Sequence, residues 1–381
     1  MKKFILIIIC IYLILCPFYL FPSGQPQIAD IFIAIASIAF LLSGNGKYFF
    51  KLKAVKYLLL FLSVVIIINS FYSFYLFAIK GIPNIMFVVP FFYIFNSLFF
   101  IIVTYTLYSS EGSYFFNWIS LFIIISLSLQ SILGFLGIQG GSRDMEMRRV
   151  IFFNNPNQLG YYALLMLSIF AVLPTVFRKK KFIMLLTVLL SGYLVFLSGS
   201  RAALSGIALL GIIMLIKEGF RYKFNTFILA SILIFAYPVI MQSNFIKDRL
   251  DLIEQRNERN AASATQAQIR AYDRFWIHPE YIFYGSGEGE YQRFESYQKL
   301  EMHSGFGTVL FSYGLLGFFF FLSFIYTCIR RNFLYGIIIL LPVLAYNVTH
   351  QGLRNSLFWV FLACLYVIFN NEIIMKLKQQ I

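Results

Sequence analysis

Apolar residues recur along this chain in segments of roughly twenty, the length that a bilayer-crossing helix requires. They fall at about 4–22, 28–43, 57–79, 84–108, 118–138, 158–177, 182–198, 201–216, 224–241, 304–328, 333–349 and 353–370. The chain is 60% hydrophobic and only 12% charged, where a soluble domain is roughly 25% charged. Its 46 Phe and 25 Tyr suit lipid-facing and interfacial surfaces. The expected fold is all-α: a polytopic integral membrane protein with about 12 transmembrane helices in a single membrane domain over residues 1–381. The second and seventh segments are short enough to be tilted or partly re-entrant. Met1-Lys2-Lys3 before an apolar run resembles a signal peptide. The run continues through Leu20 without a small-residue cleavage site, so a retained first span is expected.

The basic residues set the expected orientation. With the N-terminus cytoplasmic, alternate loops and tails hold Lys2, Lys3, Lys47, Lys51, Lys53, Lys56, Arg178 to Lys181, Lys217, Arg221, Lys223, Arg330, Arg331, Lys376 and Lys378, which is 17 of the 31 Lys and Arg residues. Short basic loops almost free of acid follow the positive-inside pattern, and both termini fall in the cytoplasm. A net charge of +15 invites a nucleic-acid reading. Basic clusters confined between apolar runs are topology determinants instead, so no nucleic-acid partner is expected. Cys10, Cys16, Cys328 and Cys364 lie in or beside apolar runs without metal or redox spacing and read as small hydrophobes.

One polar stretch, residues 242–303, interrupts the pattern as an extracytoplasmic loop between the ninth and tenth spans. It carries 10 of the 16 acidic residues, two of the three histidines and eight basic residues. A long polar segment between spans is a first place to look for chemistry, set against an ordinary solvated loop.

Outer loops should be poor in Lys and Arg, yet three are not. Arg143, Arg148 and Arg149 precede Phe152-Phe153-Asn154-Asn155-Pro156-Asn157; Arg201 follows Ser198-Gly199-Ser200; Arg354 lies near His350. An anionic ligand explains cations placed against the rule, and the planar guanidinium fork suits phosphate. Snorkelling to lipid phosphates is the alternative. At the start of the eighth span, Gly199 and Ser200 offer backbone N–H groups beside Arg201 for an anion; small residues there also suit close helix contact. Arg270 and Arg274 stand four apart, on one face if helical. Gly285-Ser286-Gly287-Glu288-Gly289-Glu290 fits neither a Walker loop nor a dinucleotide fingerprint and reads as a turn presenting Glu288 and Glu290. Trp276, Tyr281, Tyr284 and Tyr291 read as a sugar-stacking surface or as an interfacial aromatic belt. His303, where the chain re-enters the membrane, could act as a general base or cap the tenth span. No zinc-ligand spacing is present, so no metal site is expected.

Phe152-Phe153-Asn154-Asn155-Pro156-Asn157-Gln158 with Gly160, then Ser198-Gly199-Ser200-Arg201, then a long outer loop with Arg270, Pro279 and Gly285-Ser286-Gly287, then His303-Ser304-Gly305 with Tyr313-Gly314-Leu315-Leu316-Gly317, resembles the O-antigen polymerase and O-antigen ligase superfamily. The resemblance covers about residues 140–320. It implies a metal-independent, cofactor-free, GT-C-like glycosyltransferase of the bacterial inner membrane, with a large periplasmic loop and an active site facing the periplasm. The donor would be an undecaprenyl-pyrophosphate-linked oligosaccharide. A polymerase would transfer the glycan onto a lipid-linked repeat unit; a ligase would transfer it to lipid A–core. Arg201 and Arg270 match the family's arginines and His303 its histidine, giving the catalytic set. Arg274, Arg149, Ser200, Asn155, Asn157, Glu288 and Glu290 are candidates for substrate binding. The spacing from arginine to proline is shorter than the family pattern, which leaves Arg274 as a substitute for Arg270. Membrane lipids, a chain-length regulator and a flippase are the implied partners. A lipid or polysaccharide transporter is the alternative class, and it would place ionisable residues near the bilayer midplane; in this chain Asp30 near a span end is the exception to their scarcity.

Overall fold

The structure is a computed structural model that describes residues 1–21, 25–44, 49–108, 112–138, 140, 149–219, 265–297 and 299–370. The expected span at 224–241, the polar stretch as far as residue 264, Arg143 and Arg148 lie outside them. Regular structure among the described residues is entirely helical.

The principal helices are α1 (Lys2–Leu15), α2 (Ile28–Leu42), α3 (Lys53–Phe74), α4 (Val89–Leu107), α5 (Gly112–Phe135), α6 (Pro156–Val172), α7 (Lys181–Ser198), α8 (Arg201–Gly219), α9 (Gly305–Ile329), α10 (Phe333–Thr349) and α11 (Ser356–Phe369). Among the described residues, four helical runs are long and apolar enough to cross a membrane: Lys53–Ile79, Met86–Leu107, Ser113–Phe135 and Gly305–Thr349. The last folds back at Arg330–Asn332, so that α9 and α10 pack together. The protein is therefore a helical membrane protein, and the described residues show four runs of full spanning length beside shorter apolar helices, without establishing the twelve spans expected.

Two of the short helices, α6 and α11, have a physical reason. Fifteen of the seventeen residues of α6 are buried, as is the whole run Leu357–Val367 of α11. A helix apolar on every side belongs in the middle of the bundle. Shielded by its neighbours, it need not match the ~30 Å hydrocarbon thickness that a lipid-facing helix must. Around this pair, α3 packs on α9, α4 on α11, α7 on α6, and α8 on α10. Large exposed hydrophobics such as Ile31, Ile35 and Ile38 on α2 and Phe71 and Phe74 on α3 form the outer surface. Exposure on this scale marks a membrane-facing surface.

The two ends of the bundle differ. At one end Lys2 approaches the rings of Tyr105 (5.0 Å) and Tyr108 (5.8 Å), and Asn370 donates to the carbonyl of Cys328 beside Arg330. The other end gathers the starts of α6, α8, α9 and α11, the end of α10 and the polar segment 265–303. Asp30, the carboxylate near a span end, accepts from the Gln27 backbone N–H (2.8 Å) and caps the start of α2.

Helix α9 is broken. At Gly314 the backbone takes φ 65°, ψ −173°, a region open essentially to glycine alone. The break leaves the Phe311 and Ser312 carbonyls without helical donors. Residues of the glycine run supply them: Ser286 N–H donates to Phe311 O (3.1 Å) and Gly287 N–H to Ser312 O (2.9 Å). Gly285 (φ 81°) lies so close that a methyl on it would sit 2.6 Å from Ser312 O, and one on Gly314 would sit 2.5 Å from Phe283 O. Two glycines facing each other are what allow the polar segment to enter the bundle here.

Candidate functional site

The turn between α7 and α8 carries the first element of the site. Gly199 ends α7 in the left-handed conformation, φ 57°. The Ser198 hydroxyl accepts from Ser200 N–H (3.1 Å), while Gly199 N–H donates to Phe196 O (3.1 Å). Both N–H groups expected to await an anion are thus used in shaping the turn. Ser200 is buried, and its hydroxyl oxygen makes no hydrogen bond in the structure. What the turn presents is Arg201, an exposed first residue of α8.

The Asn-Pro-Asn motif lies against this turn. Asn155 caps α6, its side chain accepting from Gln158 N–H (3.0 Å), and Pro156 fills the first helical position, where no donor is needed. Asn157 contributes its carbonyl to the Tyr346 hydroxyl (3.0 Å). A methyl on Gly160 would lie 2.7 Å from the Ser198 hydroxyl and 3.0 Å from Ser200 Cβ. Gly160 therefore lets α6 approach the α7–α8 turn, and the two motifs work as one packed unit. Arg149, just before them, donates to the Gly134 carbonyl near the end of α5. That contact answers its place on an outer loop without a ligand.

Arg270 and His303 meet at the start of α9. His303 N–H donates to Arg270 O (3.1 Å), and the Arg270 guanidinium donates to Thr349 O at the end of α10. Burial, and next the Arg201 charge, lower the pKa of Arg270, with Tyr272 opposing. Arg201 and Arg270 thus lie within electrostatic reach of each other. The His303 ring is exposed, and its Nδ1 lies 3.0 Å from Glu301 O. In a neutral imidazole that bond puts the proton on Nδ1 and leaves Nε2 as the acceptor. Behind them Tyr161, Tyr346 and His350 stack at ring separations of 4.1 and 4.7 Å.

Arg274 is placed elsewhere. It is buried within the polar segment, donating to Ser296 Oγ (3.1 Å) and to Leu300 O, between the rings of Tyr291 and Phe294. Its position makes it a staple of a small core formed by Ala271, Phe294, Met302 and Phe311. Arg270 and Arg274 do not share a helical face, because Ala271 at φ 58° interrupts the chain between them.

Glu288 and Glu290 also part company. Glu290 is half-exposed at φ 47°. Glu288 is fully buried, accepting from the hydroxyls of Tyr93 (2.9 Å) and Tyr313 (2.7 Å) and pairing with Arg354. Asn69 on α3 fixes its backbone from both sides, accepting from Glu288 N–H (3.0 Å) and donating to Glu288 O (3.1 Å). Arg354 also pairs with Glu301 at 3.1 Å and donates to the Tyr291 hydroxyl at 3.3 Å. Arg354, expected to await an anionic ligand, is instead held by two carboxylates of the chain. Burial, with Arg354 opposing and Glu288 adding, raises the pKa of Glu301.

The sequence did not reveal this cluster. Tyr93 and Tyr313 look like ordinary aromatic residues of apolar runs, and the usable signal was Arg354, a cation between two apolar runs in a loop that should be poor in Lys and Arg. Among the described residues no group of His, Cys, Asp and Glu is arranged to hold a metal. Compared with known proteins, the chain matches no family model and no curated sequence.

Proposed function

We propose that this protein is a membrane glycosyltransferase that polymerises a lipid-linked glycan at the non-cytoplasmic face of a bacterial inner membrane. The donor is an undecaprenyl-pyrophosphate-linked oligosaccharide and the acceptor a hydroxyl of a second lipid-linked repeat unit. The observation that carries the proposal is that Arg270 and His303, joined by a backbone hydrogen bond and held at the end of α10, lie at the same end of the bundle as the α7–α8 turn that bears Arg201.

The chemistry follows from these groups. As the anomeric carbon–oxygen bond breaks, the pyrophosphate gains negative charge. Arg201 stands at the positive end of the α8 dipole, at the same end of the bundle as Arg270. An anion between them offsets both the dipole and the mutual repulsion. Donors fixed in advance by a helix start and by the Thr349 carbonyl are suited to a charge that develops late. His303 presents Nε2 as the acceptor for the proton of the attacking hydroxyl.

Arg201→Ala is expected to reduce transfer by about 10²–10³-fold, the usual cost of removing one such donor, with Arg201→Lys restoring only part because it lacks the fork. The measurement is a gel ladder of surface polysaccharide from cells in which the gene is deleted and then restored as wild type or variant. Core bearing a single repeat unit after deletion marks a polymerase. Bare core with polymer left on the carrier marks a ligase. Full activity in Arg201→Ala would remove the pyrophosphate role.

A further inference from the structure

We propose that the turns Arg274–Ile277 and Tyr281–Tyr284 form a re-entrant wedge, with Trp276, Ile277, Phe283 and Tyr284 set among the acyl chains of the lipid leaflet at the arginine-bearing end. This goes beyond glycan transfer and holds whether or not the chain performs it.

Two positions give the depth. Gly285 packs on Gly314, nine residues into α9 from Gly305; at 1.5 Å per residue that is about 14 Å below the helix start. Glu288 is bound by Asn69, ten residues before Ile79, where the helical run of α3 ends, or about 15 Å by the same rise. Both place the segment nearly halfway into a ~30 Å core.

Irregular backbone at such depth must have its polar groups satisfied by protein. Gly285 O accepts from the Tyr72 hydroxyl (3.2 Å), and Ser286 O and Gly287 O accept from the Arg293 guanidinium. The N–H groups of residues 285–288 donate to Tyr281 O, Phe311 O, Ser312 O and Asn69 Oδ1. Arg293 itself lies over the rings of Tyr72 and Phe294 (5.1 and 4.5 Å).

The outward face is apolar. Trp276 is 70% exposed and Phe283 68%. This patch continues the exposed faces of its neighbours: Leu315, Leu316 and Phe319 on α9 just past the Gly314 break, and Phe71 and Phe74 on α3 beside Tyr72, whose ring meets Tyr281 at 6.3 Å. Glu280, the one carboxylate between Trp276 and Tyr284, lies 3.5 Å from Nδ1 of His278. Continuity with the lipid-facing surface commits the patch to bulk acyl chains.

The test uses the full chain in vesicles of phosphatidylcholine brominated on the acyl chains. Tryptophan occurs only at 118, 276 and 359, and Trp359 is fully buried, so Trp118→Phe leaves Trp276 as the accessible emitter. Should that variant fail to fold, the difference between the native chain and Trp276→Phe isolates the same signal. The expected result is loss of most Trp276 emission to acyl bromine and none to aqueous iodide. Quenching by iodide and not by bromine would overturn the wedge. Bromine quenching abolished by added polyprenyl phosphate would overturn the bulk-lipid assignment, giving the patch to a substrate's chain.

Discussion

Removing the Arg354 guanidinium would take the cationic partner from the fully buried Glu288 and leave it the Tyr93 and Tyr313 hydroxyls. A buried charge stripped of its partner is far more costly than the pair it came from is stabilising, because desolvation is then uncompensated. Arg354→Met should therefore destabilise the protein by about 3–5 kcal/mol. Glu288→Gln added to it should recover most of that loss, since a neutral amide can keep a hydrogen bond to a tyrosine. Thermal unfolding in detergent of the native, single and double variants checks both statements. A double variant no more stable than Arg354→Met would mean that the cation holds the fold by packing alone. Legibility at this scale follows sequence distance. The Asn155 cap, Pro156 and the turn at Gly199 are local signals, although the sequence reads as offering Asn155 to a substrate and the Gly199 backbone to an anion. The Glu288–Arg354 pair spans 66 residues and the Glu301–Arg354 contact 53, and only the packed bundle brings such partners together. That is why Arg354 read as an unanswered cation.

The break in α9 shows how an element can depend on one position. An alanine at Gly314 would adopt φ 65°, ψ −173° only with strain of about 1–3 kcal/mol, and its methyl would meet the backbone of Phe283 and Gly285 at 2.5 and 2.8 Å. Backbone cannot yield as a side-chain end can. Gly314→Ala should straighten α9 and expel the segment 281–290, exposing Arg274 and Arg293 to trypsin. Gly192→Ala, with nothing within 4 Å of the added methyl, should leave the digestion pattern unchanged. Limited proteolysis of the three proteins in detergent decides the matter, and an unaltered pattern for Gly314→Ala would mean that the insertion does not rest on the break. The glycine run was legible as a tight turn but not as an insertion into the bundle. Its partner, the kink, hides in Tyr313-Gly314-Leu315-Leu316-Gly317, where an apolar helix continues on both sides.

At the scale of the molecule, the alternation of basic and nearly acid-free loops with apolar runs divides the loops into two expected sets. Lys2 and Arg330 lie at one end of the bundle; Arg149, Arg201, Arg270, His303 and Arg354 lie at the other. The spanning lengths were less legible, because hydropathy does not distinguish a helix facing lipid from one shielded by others, and α6 and α11 are of the second kind. The positive-inside rule supplies only an expectation of which end faces the cytoplasm, and that expectation can be measured directly. All four cysteines are buried or half-buried, so the native chain should react little with a membrane-impermeant maleimide. A cysteine at exposed Tyr297 should label in intact spheroplasts, and one at exposed Arg331 only after lysis. The reverse pattern would place Arg201, Arg270 and His303 in the cytoplasm. A lipid-linked donor presented on the outer leaflet could not reach them there, so transfer at that face would fall with the orientation, while the packing of the bundle and the Glu288–Arg354 cluster would stand.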